Sequence, residues 1–168
     1  MATMSRLAAR FSMRDPVWER HANPWSAITR LPVLPLLALS VHGRVWIGWW
    51  CLVPVALLLV WAWLNPRAFP PPARTDNWFS RATFGERVWL SSGEVPVPAH
   101  HARAAALLSW AGALALVPVA WGLWVLDPWV TGLGVALSVL FRLWMMDRMV
   151  WLHADMARVH SPYAGWVR

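Results

Sequence analysis

The sequence predicts an all-α membrane protein with four transmembrane helices in two helical hairpins, and an interfacial segment in the loop between them. Three observations predict it. Of the 168 residues, 58% are hydrophobic and the mean hydropathy is +0.42, whereas an ordinary soluble domain is about half apolar. The apolar residues gather in runs of helical length, with arginines between the runs. Sixteen tryptophans cluster towards the run ends, where amphipathic rings form belts at the two membrane–water boundaries.

Residues 1–22 form a polar, arginine-rich arm, read as a short interfacial helix carrying Leu7, Phe11 and Trp18. The first hairpin covers 23–64. Its first apolar run, Leu31–Val41, has 11 residues, too few to cross about 30 Å of hydrocarbon, which takes about 20 helical residues. A start at Asn23-Pro24 restores the length: Asn23 caps, Pro24 takes the first turn, Trp25 anchors and Arg30 reaches towards phosphate. Pro32 and Pro35 each remove a backbone donor, so this helix should kink between them. The second span is Val45–Leu64, 20 uncharged residues stopped by Asn65-Pro66.

The segment 65–103 is polar and carries the proline cluster Pro70-Pro71-Pro72. At its centre Trp78, Ala82, Gly85 and Trp89 share one helical face, the pattern of a helix lying in the interface. The second hairpin covers 104–157. Its third span, Ala104–Leu126, contains Pro118; Asp127 then caps and Pro128 opens a fourth helix that reaches Met156 and projects into water. Residues 158–168 form a tail.

Fourteen arginines fall in the arm, the 65–103 loop, the inner helix ends and the tail; only Arg44 lies in a loop on the other side. By the positive-inside rule both termini are cytoplasmic, in a bacterial inner membrane. The net charge of +7 sits in short loops beside apolar runs, which suits anionic headgroups and excludes nucleic acid as a partner. The single Cys51 excludes a disulfide framework, and no small-residue cleavage site follows the first run, so no cleaved signal peptide is expected.

The ordered motifs "HANPWS", "TRLPVLPL", "RVWIGWW", "NPRAFPPP", "TDNW", "GERVWL", "VPVPAHH", "GLWVLDPW" and "DRMVWL" resemble small bacterial and archaeal polytopic membrane proteins grouped as a domain of unknown function. The resemblance covers about residues 18 to 166. It implies a polytopic membrane protein and no activity, so no catalytic residue is carried over.

Four constellations are candidates for chemistry. His21, His100, His101, His153 and His160 all fall at the cytoplasmic face, where imidazoles with Asp155 nearby can hold zinc or iron; the plainer alternative is headgroup anchoring. Ala38 and His42, a small residue four before a histidine, leave room for a pigment or haem ligated by His42, against an interfacial turn histidine. Arg142 lies near the inner hydrocarbon boundary, where an arginine snorkels or pairs with a neighbouring acid, and Asp147 is positioned to pair with Arg30. Trp25 and Trp151 belong to the inner aromatic belt. Spans without polar cores, minimal outer loops and abundant tryptophan lead to a non-catalytic accessory or scaffold subunit of a larger inner-membrane complex, photosynthetic or respiratory, whose partners are the bilayer and other membrane subunits. The alternatives are a membrane enzyme with a cytoplasmic metal site, and a small transporter or lipid-binding protein. The sequence leaves the cofactor unknown, with a bound lipid or a pigment as the classes it admits.

Overall fold

A computed structural model of the chain describes residues 15–93 and 95–168, and the described residues are helical with no strand. The expected interfacial helix of the arm falls largely outside them. What is described begins with α1 (Asp15–His21), whose Trp18 is buried.

Helix α2 (Pro24–Ile28) starts as expected: the Asn23 side-chain oxygen accepts from the Trp25 amide at 3.0 Å, with Pro24 in the first turn. The prolines do more than kink the helix. Pro32 has no N–H for the Ile28 carbonyl, so α2 ends at Ile28, a turn occupies 29–32, and α3 (Val33–His42) begins afresh. The chain then folds back through α4 (Arg44–Ile47) and a 3-10 turn (Gly48–Cys51) into α5 (Leu52–Ala68), which packs beside α3. Gly48 holds a φ of +54° here, a region only glycine enters without cost.

Three stretches are long and apolar enough to cross a membrane, Pro24–Ala68, Ala99–Val125 and Pro128–Val159, not the four expected. The correction falls in the first 45-residue stretch, which doubles back on itself. Its α3 has 10 residues and its α5 has 17. Trp46, Trp49 and Trp50, read as the start of a span, lie in the turn and are exposed. Asn65-Pro66 does not stop α5 at Leu64; the helix continues to Ala68.

Helix α6 (Trp78–Leu90) is capped by Asn77, whose side chain accepts from the Ser80 amide at 2.9 Å. It is a core element rather than a surface helix, with Ala82, Thr83, Phe84, Gly85 and Val88 buried. It crosses the last long helix so closely that a β-carbon at Gly85 would stand 1.9 Å from the Met149 carbonyl oxygen. Helices α7 (Ala99–Leu114) and α8 (Leu116–Val125) divide at Ala115, because Pro118 cannot donate to the Leu114 carbonyl.

The Asp127 carboxylate accepts from the amides of Trp129 at 2.8 Å and Val130 at 3.0 Å, capping α9 (Pro128–Val159), a 32-residue helix. A short α10 (Ser161–Ala164) follows. Arg44 ties the two far turns together by donating to the carbonyls of Leu123 at 2.6 Å and Trp124 at 3.1 Å.

The main core sits at one end, where Val88 of α6, Ala105 and Leu108 of α7, and Met145, Met149, Leu152 and Met156 of α9 interlock. Away from that end the helices turn large apolar side chains outwards: Trp49 is 85% and Trp129 86% exposed, with Leu57, Leu107 and Leu114 also exposed. Exposed apolar side chains on helices of this length are compatible with a membrane surrounding.

Candidate functional site

The broken start of the first stretch gathers polar side chains at the inner edge of the core. Ser26 donates its hydroxyl proton to the Asn65 side-chain oxygen at 2.8 Å. The Asn65 amide nitrogen donates to Thr29 Oγ1 at 2.8 Å, and Thr29 donates to the Trp25 carbonyl at 2.6 Å. His21 Nδ1 lies 3.2 Å from Ser26 Oγ, whose own proton is already committed, so the ring nitrogen is the donor there. His21 Nε2 is then the acceptor, and Arg30 Nη1 donates to it at 3.0 Å while Arg30 Nε donates to the Ser26 carbonyl, also at 3.0 Å. These bonds describe a neutral ring in one tautomer. Burial, then the nearby Arg30 charge, push the His21 pKa down to about 3, in agreement. Asn65, Ser26 and His21 are all buried.

Arg30 also borders a cavity of about 420 Å³ between α6, α7 and α9. Across it Glu86 of α6 and Arg142 of α9 stand 3.8 Å apart, an ion pair too long to be a hydrogen bond. Burial would push the Glu86 carboxyl up, but the guanidiniums of Arg142 and Arg30 hold it below the usual carboxylate range. With His21 neutral, two guanidiniums face one carboxylate, leaving the cavity positive. Ser138 adds a buried hydroxyl with no hydrogen-bond partner. Apart from Thr83 and Ser109, the remaining wall is largely apolar, including Leu108, Phe141, Met145 and Met149. A smaller cavity of about 130 Å³ lies beside it, and Arg30, Ser138, Arg142 and Met146 border both.

The sequence-predicted residues distribute as follows. Arg30 and Arg142 come together at one cavity. Arg142 pairs with an acid on a neighbouring helix, as one of its two expected readings had it, and that acid is Glu86. The expected Arg30–Asp147 pairing is replaced: α6 packs against α9, and its Trp78 Nε1 donates to the Asp147 carboxylate at 3.2 Å. The five histidines do not gather in one place. His21 is engaged through both nitrogens. His100 and His101 meet Asp155, with His101 Nε2 2.9 Å from the carboxylate. His153 Nε2 lies 3.2 Å from the Tyr163 carbonyl oxygen, and the ring of His160 contacts that of Tyr163. His42 stands at the end of α3 with its ring 6.4 Å from that of Trp46, one turn beyond the buried Ala38. Trp25 and Trp151 are exposed.

Glu86, Ser138 and Asn65 are the cavity and network residues that sequence reasoning missed. Glu86 offered one signal, as the sole acid within Trp78–Leu90. Ser138, in mid-helix, offered none.

The family described as a family of unknown function, DUF6653, matches residues 2–167. No curated protein and no solved structure matches the chain.

Proposed function

The chain belongs to DUF6653, a family of unknown function, and on that footing we propose that it is an integral membrane protein that binds an amphipathic anion, an acidic headgroup bearing an acyl or isoprenoid chain. One observation carries the reading: a 420 Å³ cavity pairs Arg30 and Arg142 with a single carboxylate and an unpartnered serine, then continues into a wall of leucine, phenylalanine and methionine. Binding sites combine a few placed polar groups with an apolar lining in this way, at volumes of about 300–1,000 Å³. The guanidinium fork suits phosphate and carboxylate alike. The bundle is read as lying in a bacterial inner membrane with both termini and the arginine-rich 65–103 loop cytoplasmic, which sets the cavity near the inner headgroups.

An accessory subunit of a larger membrane complex has the apolar exterior and exposed tryptophans in its support, but lipid covers such a surface equally well. The cavity favours the lipid-binding reading.

The test is native mass spectrometry of the protein extracted in mild detergent, followed by analysis of the organic extract. About one acidic lipid per chain is expected, lost when Arg30 and Arg142 are both changed to Gln in a protein that still elutes as folded. A lipid-free wild type, or equal retention by the double variant, overturns the proposal. A co-migrating complex with no bound acidic lipid favours the accessory subunit.

A further inference from the structure

A second cluster stands apart from that cavity, sharing no residue with it. His100 and His101 open α7, and Asp155 lies in the last turns of α9, at the same end of the bundle. One ligand atom from each of the three lies within 4.8 Å of the other two. The two imidazole centroids are 4.1 Å apart, and His101 Nε2 is 2.9 Å from Asp155 Oδ2. We propose that His100, His101 and Asp155 bind a divalent transition metal ion of borderline softness, with Zn2+ or Fe2+ as the fitting class.

The donor set argues for that class. Two imidazoles and one carboxylate suit zinc in a site that keeps an open position, and the same set with several open positions holds non-haem Fe(II). A hard cation such as Mg2+ or Ca2+ would require oxygen donors that the cluster lacks.

His101 is not a settled core histidine. Its side chain is 3% exposed, yet its Nδ1 is enclosed without a partner and only its Nε2 is engaged. Burying a ring while one nitrogen goes unused is unfavourable as packing alone. His100 is exposed, so a ligand to the cluster need not pass through the core. The positive end of α7 opposes a cation here, and the Asp155 carboxylate offsets it. Arg158 Nη1 lies 3.5 Å from Asp155 Oδ1 as a competing cation; its side chain is 79% exposed and can swing away.

The experiment uses the full chain in detergent, purified through a tag free of histidine and stripped with chelator. Co2+ serves as the spectroscopic probe and Zn2+ as competitor. About one Co2+ per chain is expected, with the strong visible bands of a low-coordinate nitrogen–oxygen site that Zn2+ abolishes. Loss of a supporting partner alone costs about 10–100-fold in metal affinity, so Asp155→Asn and His101→Ala should each weaken binding by at least about 100-fold. His100→Ala removes only an exposed ring, leaves the fold intact and should also lose the bands. His42→Ala should bind like wild type. No stoichiometric Co2+, or bands that survive His100→Ala, overturns the proposal, and so does equal loss in His42→Ala.

Discussion

Arg30 Nη1 donates to His21 Nε2 across 3.0 Å, so a guanidinium leans on a histidine that folding keeps neutral. The pair joins the buried start of the first stretch to the cavity wall, and stability should register it. The histidine pKa falls from 6.5 in the unfolded chain to about 3 in the fold. Above 6.5 the ring is neutral in both states and its contribution is complete. As pH falls from 6.5 towards 3 the unfolded chain takes the proton first, so stability drops by up to about 1.4 kcal/mol per pH unit. Glu86, whose carboxyl is also held low, acts with the same sign. Thermal unfolding in detergent at stepped pH should therefore show a steeper acid decline for wild type than for His21→Asn, and parallel curves would remove the assignment.

Asn65 accepts from Ser26 and donates to Thr29 with no exposure to solvent. Asn65→Leu leaves the Ser26 hydroxyl enclosed without its acceptor, and such a loss costs about 1–3 kcal/mol. Denaturant unfolding followed by tryptophan fluorescence would measure it.

Glu86 is the only carboxylate on the cavity among the described residues, so Glu86→Gln should tighten binding of an acidic amphiphile by about 10-fold, and Arg142→Gln should weaken it by a similar factor. Titration with an anionic and a zwitterionic lipid of the same chain would separate charge from tail. Tighter binding of both lipids to Glu86→Gln would show that volume, not charge, governs the site.

Gly85→Ala inserts a β-carbon where the Met149 carbonyl oxygen stands. A backbone cannot rotate aside as a side chain can, so the helices must separate, at a cost of about 3 kcal/mol or more. Lowered yield and a lowered unfolding midpoint are expected, while Gly93→Ala, which meets nothing within 4 Å, should be silent.

Legibility in the sequence followed locality. Asn23 and Asp127 each cap a helix whose first residue is a proline, and each works within three residues, so both were readable. The face of Ala82 and Gly85 was readable as periodicity, but its partner was not, because the same spacing serves a lipid interface or a tight helix crossing. The expected pairing of Asp147 with Arg30 failed for a related reason: many residues can satisfy one carboxylate, and the choice belongs to how α6 packs. The span count failed because prolines set how far a helix breaks, while hydropathy records only that the residues are apolar. A metal ligand set that includes Asp155 required α7 and α9 to meet at one end, which no local pattern declares.

The hydrogen-bond chain from His21 to the Trp25 carbonyl runs in a single direction, and its third member is an amide. An asparagine can relay polarity but cannot pass a proton on, since it offers no exchangeable site of suitable acidity. The polar seam beneath the cavity is therefore an insulator: it fixes a positive charge beside apolar walls without providing a wire along which that charge could leak.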